Sequence, residues 1–167
     1  MLRGVGGSGI GRLEHDWVAN VHKSPYEAST FLQTRVGEMA LNNLSGCRAI
    51  LGHTRAATIG NIALEHSHPF RYIKEDADGN VIKDLTLIHN GTISNYNNLT
   101  PIGFTHSVDS AHIAYAFTEG NPLDILPKLE GNYVLIWVDA IAKTLNLAKD
   151  DGRTLYMAYV GDKKDKL

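Results

Sequence analysis

Three apolar runs in this chain end abruptly in polar residues and glycine. The first closes as Gly52-His-Thr-Arg55 and continues Ala56-Ala-Thr58-Ile-Gly60. The second polar cluster is His66-Ser-His68-Pro69-Phe70. The third run, Leu85-Thr-Leu-Ile88, closes as His89-Asn90-Gly91. Such an ending marks a buried strand that emerges at the rim of a sheet. Rims hold binding and catalytic groups on a rigid support. Arg55 offers a planar fork of donors suited to a carboxylate, and the structural alternative is an ion pair within the domain. Asn90-Gly91 offers two amide donors, and its structural alternative is the Asn-Gly turn of a hairpin. His66-x-His68 has the spacing of half a metal site on a strand. Asp109, in Ser107-Val-Asp109-Ser110, suits either a charged ligand group or the start of a helix. Together these residues point to a small-molecule site.

The rest of the chain bounds what that site can be. Its 167 residues fit one domain with a core of its own. Composition is that of a soluble globular protein, 43% hydrophobic and 20% charged, and the net charge of −2 argues against a nucleic-acid partner. No apolar run reaches membrane-spanning length and the start lacks a signal-peptide pattern, so no membrane partner and a cytoplasmic location are expected. The single cysteine, Cys47, excludes an internal disulfide.

The elements that must position the site read as follows. Gly4, Gly6 and Gly9 satisfy G-x-G-x-x-G, but no strand precedes them and no alternation of strand and helix follows, so a nucleotide loop is disfavoured. Residues 13–22 suggest a strand or hairpin. Ser24-Pro-Tyr-Glu27 has the form of a capped helix start, with Phe31, Leu32, Val36, Met39 and Ala40 as its core stripe and Gly46 as its stop. Residues 47–53 predict a central strand, and 71–87 a hairpin turning at Asp76-Ala-Asp-Gly-Asn80. That pentad resembles a calcium loop, but Leu87 stands where a bidentate glutamate is needed. A helix follows Ser107 with Ile113, Ala114 and Phe117 on one face, and a shorter one starts at Pro122 and is broken by Pro127. Residues 133–138, 144–148 and 154–160 alternate as strands. Segregated blocks of strands and helices predict an α+β fold with largely antiparallel sheets.

The same motifs carry a resemblance. Gly52-His-Thr-Arg-Ala-Ala-Thr-Ile-Gly60, then His68-Pro69, then His89-Asn-Gly91 resemble the glutaminase domain of class II glutamine amidotransferases, which are N-terminal-nucleophile hydrolases. Arg3, Gly4 and Gly9 match that family's Arg-Gly-x-x-Ser-x-Gly structural turn, with Gly7 where the serine is expected. The resemblance implies a four-layer α-β-β-α sandwich and no cofactor. It also implies L-glutamine or glutamate as ligand. Arg55 would bind its α-carboxylate with help from Thr58, and Asp109 its α-amino group. His68 would lie in the pocket. Asn90 and Gly91 would form the oxyanion hole, since such donors must already point at the developing charge. Ala56, Ile59 and Ala111 depart from the family's usual residues.

The family's nucleophile is a cysteine at the mature N-terminus. This sequence opens inside the turn at Met1-Leu-Arg3-Gly4, and Cys47 is mid-chain. The expectation is therefore one glutaminase-like domain, residues 1–167, truncated before its first central strand and inactive alone. It would be a fragment of a glutamine-hydrolysing protein, with a strand-donating or synthase chain as possible partner. The alternatives are a catalytically dead amino-acid-binding module and, more remotely, a metal-dependent hydrolase using His66 and His68.

Overall fold

The computed structural model describes residues 6–56 and 63–158. Arg3, Gly4, Thr58 and the end of the expected 154–160 strand lie outside them. Two antiparallel sheets carry the fold. In the first, β1 (Ser8–Glu14) is central, with β2 (Ala19–Ser24) on one side and β3 (Cys47–Thr54) on the other. In the second, β4 (Phe70–Glu75), β5 (Val81–Ile93), β6 (Gly131–Asp139) and β7 (Thr144–Lys149) pair in chain order.

The sheets face each other because their strands alternate with period two. Leu13, Ala19 and Leu51 of the first meet Val138, Ala140, Ile88 and Ile136 of the second. Gly11 permits the approach, since a Cβ there would stand 3.1 Å from Pro69 and 3.3 Å from the Thr86 methyl. The outer face of the second sheet is more apolar. Phe70, Leu85, Leu87, Leu135 and Trp137 pack there against Ala111, Ile113, Ala114 and Phe117 of α3 (Asp109–Glu119). Each leucine, isoleucine or phenylalanine fully buried there contributes about 1.5–3 kcal/mol.

The expected helix after Ser24 is corrected in two ways. Ser24 ends β2, and its hydroxyl accepts from Tyr26 N at 3.1 Å, a turn rather than a helix cap. The helical stretch then splits into α1 (Ala28–Leu32) and α2 (Arg35–Leu41). Thr34 caps the second piece, accepting from Gly37 N at 3.1 Å. Gly37 packs so closely on the Phe31 carbonyl that a Cβ would collide with it. This corner rotates the two halves out of phase. Phe31 and Ala40 remain buried, whereas Leu32, Val36 and Met39 are exposed rather than core.

The Asp76 turn is held by its own carboxylate, which accepts from Asp78 N and Asn80 N, both at 2.9 Å. The short helix after Asn121 is α4 (Pro122–Ile125), and Pro127 falls in the 3₁₀ turn that ends it, as expected. Residues 154–158 are not a strand. Their apolar alternation finds no neighbouring strand among the described residues, and Tyr156 and Met157 are exposed. Among the described residues no helix is long and apolar enough to cross a membrane.

Candidate functional site

The start of β1 and the ends of β3 and β5 meet at one rim. Gly9 pairs with His53 and Ser8 with Thr54. The pairing continues past the strands, with Arg55 N donating to Gly7 O and Gly6 N to Arg55 O, both at 2.8 Å. His53 Nε2 donates to the His89 carbonyl at 3.0 Å, tying β3 to β5 one residue before Asn90. The 66–70 segment lies across β1, where a Cβ on Gly9 would collide with the His68 carbonyl. A Cβ on Gly7 would collide with the Ser67 hydroxyl. The hydroxyl beside Gly7 thus comes from Ser67, which also donates to Ser24 O at 3.0 Å.

The same rim receives the start of α3. Asp109 Oδ2 accepts from Ile93 N at 2.8 Å, and Oδ1 accepts from Ser110 N at 2.8 Å and from Ser110 Oγ at 3.3 Å. His89 Nδ1 lies 2.9 Å from Ser110 Oγ and 3.8 Å from Asp109 Oδ2. Arg55 and Asp109 are each 5% exposed. Burial lowers the Arg55 pKa and the Asp109 charge opposes that shift, so a buried cation and a buried anion face one site.

Three imidazoles floor it. His68 stacks on His53 with ring centroids 3.9 Å apart, and meets the Phe70 ring at 4.9 Å. Burial pushes His53 down to about 4 and His68 well below its ordinary value. It also lowers His89, against the pull of Asp109. All three are neutral at pH 7. Both ring nitrogens of His68, Nδ1 of His53 and Nε2 of His89 are buried with no hydrogen-bond partner among the described residues.

The geometry of the described residues does not favour the metal reading. His66 Nε2 pairs with Ser107 Oγ at 2.8 Å and its ring meets His106, while His68 turns to His53 and Phe70. The two histidines sit on a turn, not on a strand, so their side chains diverge. No group of three His, Cys, Asp or Glu among the described residues could hold a metal ion.

Asn90-Gly91 is not a hairpin turn, because β5 runs through it to Ile93. Asn90 pairs with Val134 and shares the inter-sheet face with Thr86 and Ile88. Gly91 has φ +155°, and a Cβ there would collide with the Asn132 carbonyl and stand 2.8 Å from His89 Nε2 and Tyr133 Cα. Only glycine fits.

The rim therefore gathers Arg55, His68, Asp109, Asn90, Gly91 and, beneath them, Gly9. Cys47 is at the opposite end of β3, eight residue steps from Arg55 or about 26 Å at 3.3 Å per residue. Sequence reading missed Ser67 and Ser110, whose hydroxyls matter only through tertiary contacts. A surface depression of about 550 Å³ beside α2, lined by Leu32, Arg35, Glu38 and Met39, is formed by none of the rim residues.

No protein-family model and no curated protein matches the sequence. Solved structures do match the fold. One is described as the allosteric regulatory enzyme of purine biosynthesis, with a TM-score of 0.61 and 21% identity over 83% of this chain. Another is glutamine phosphoribosylpyrophosphate amidotransferase from B. subtilis in complex with ADP and GMP, with a TM-score of 0.57 and 22% identity over 83% of this chain. The chain spans 30% of each of those proteins. The likeness read from the motifs is thus met in the fold, which over 83% of this chain follows part of an enzyme described as a glutamine phosphoribosylpyrophosphate amidotransferase.

Proposed function

We propose that this chain is a class II glutaminase-type domain that binds L-glutamine, built as a four-layer sandwich in which α1–α2 and α3 flank the two sheets. The observation that carries this reading is the burial of Arg55 and Asp109 together at the rim that ends in Asn90-Gly91. An α-amino acid presents one carboxylate and one ammonium on the same carbon, and Arg55 and Asp109 lie near enough for their charges to interact. Arg55 takes the carboxylate as a bidentate fork, assisted by Thr58. Asp109 takes the ammonium. Its two oxygens offer about four lone-pair sites, of which Ile93 N, Ser110 N and Ser110 Oγ use three. The neutral His68 adds no charge to compete for either group.

With both ends of the amino acid fixed, the side-chain amide extends toward Asn90 and Gly91. There the Asn90 amide and the Gly91 N–H stabilise negative charge on the amide oxygen during attack. Attack needs a nucleophile at this rim, which Cys47 cannot supply at its distance. Turnover therefore requires a terminal cysteine, on a strand completing the first sheet, whose free amine acts as base.

Calorimetry with three ligands tests the binding reading. Glutamine should bind, whereas 4-aminobutanamide, lacking the α-carboxylate, and glutaramic acid, lacking the α-amino group, should each bind at least roughly tenfold more weakly. Equal affinities for all three, or no affinity for glutamine, would reject it.

A further inference from the structure

Arg12 pairs with Glu14 at 3.1 Å and Arg71 with Asp84 at 2.7 Å. Arg153 has no such match. It is partly buried, yet among the described residues it makes no ion pair and no hydrogen bond. The turn that leaves β7 sets its place. Asp150 N donates to Tyr133 O at 3.0 Å, and the Asp150 carboxylate accepts from Tyr133 N at 2.7 Å and from Gly152 N at 2.8 Å. That carboxylate is thereby held by backbone amides rather than by Arg153.

Tyr133 is the partner of Gly91 in the β5–β6 register. Gly152 lies against Asn132, where a Cβ would collide with the side-chain oxygen, and the carbonyl of Asn132 lies in turn against Gly91. The turn is fastened to the two residues that close on Gly91, and Arg153 comes next in the chain. Its charge reaches the rim, where it helps to lower the pKa of His89, a side chain only 3% exposed. Charge balance then points to a ligand. Arg55 and Asp109 cancel each other, as do the carboxylate and ammonium of an α-amino acid, and the three imidazoles are neutral. The charge left over near Asn90-Gly91 is that of Arg153, and an unmatched guanidinium suits a carboxylate.

We propose that Arg153 is a specificity-determining residue of this rim, receiving a second carboxylate at the Asn90-Gly91 end, so that the site prefers L-glutamate to its neutral amide. This rests on the amino-acid reading of the rim: Arg55 and Asp109 fix either ligand by its α-groups, and Arg153 distinguishes the ends of their side chains. Lys149 is the neighbouring cation, but it is exposed and its Nζ donates to Asp150 O at 2.7 Å.

Calorimetry with L-glutamate and L-glutamine, on the unsubstituted chain and on Arg153→Gln, tests the assignment. The unsubstituted chain should bind glutamate roughly three- to tenfold more tightly than glutamine, the range of a partly screened charge pair. Arg153→Gln should abolish that preference by weakening glutamate alone, Arg153→Lys should keep part of it, and Lys149→Gln should keep most of it. In the ligand-free chain, Arg153→Gln should also raise the His89 pKa read by proton NMR. Glutamine binding with no glutamate preference, a preference unchanged in Arg153→Gln, or an equal loss of both affinities would overturn this assignment and leave the amino-acid reading standing. So would a preference lost equally in Lys149→Gln, or a His89 titration that does not move. Failure of both amino acids to bind the unsubstituted chain would overturn the two readings together.

Discussion

Replacing Gly91 by alanine tests the rim where it is tightest. The backbone there has φ +155°, a region that side-chain-bearing residues enter at a cost of about 1–3 kcal/mol. The added Cβ would also collide with the Asn132 carbonyl and stand 2.8 Å from Tyr133 Cα, both backbone atoms of β6. Backbone in a paired strand yields little, so overpacking adds about 1–3 kcal/mol. The sum is about 2–6 kcal/mol, or a fall in Tm of roughly 5–20 °C for a chain of this size. Gly52→Ala is the control, because nothing lies within 4 Å of a Cβ built there and its φ is ordinary. It should be neutral or stabilise by about 0.4–1 kcal/mol through the unfolded state. Urea unfolding followed by tryptophan fluorescence reads both variants. If Gly91→Ala unfolds within about 1 kcal/mol of the unsubstituted protein, the close passage of β5 over β6 at the rim is wrong, and the oxyanion geometry with it.

Acid should loosen the same rim. His53 has a folded pKa of about 4, below its ordinary 6.5, so the unfolded chain binds the proton first as pH falls. Its contribution is fully present above about pH 6.5 and is lost between there and about 4, at up to about 1.4 kcal/mol per pH unit. Urea midpoints at several pH values should fall more steeply in the unsubstituted protein than in His53→Gln, and parallel slopes would contradict this. Asp109→Ala should cost about 2–5 kcal/mol by stranding the Ile93 and Ser110 amides, and a calorimetric melt unchanged from the parent would refute that account. Alkylating Cys47 should leave glutamine affinity unaltered, given its position at the far end of β3; a loss of affinity would place the cysteine at the site after all.

The rims were legible in the sequence because a buried strand cannot stop without a visible change of residue type. Arg55, Asn90 and Gly91 each stand at such a change, and the structure brings them to one place. That Arg55 faces Asp109 was not readable from pattern alone, because 54 positions separate them in the chain and only the docking of α3 joins them. β1 was misread in part for a physical reason. Gly9 and Gly11 weaken the strand signal, yet both are needed, one under the His68 carbonyl and the other against Pro69 and Thr86. The split between α1 and α2 was hidden likewise, since the 3.6-residue spacing continues through Gly37 while the chain turns a corner on the Phe31 carbonyl. The Asn-Gly pair was ambiguous by itself. Its extended conformation is set by Asn132 and Tyr133 of the neighbouring strand.

The central claim is that Arg55 receives the carboxylate of an amino acid at this rim. Titrating L-glutamine by calorimetry into the unsubstituted chain and into Arg55→Lys, side by side at neutral pH, tests it most directly. Lysine keeps the charge but not the planar fork, so the account predicts saturable binding to the parent and an affinity at least roughly tenfold lower in the variant. Equal affinity in both proteins, or no heat of binding in the parent, would contradict it.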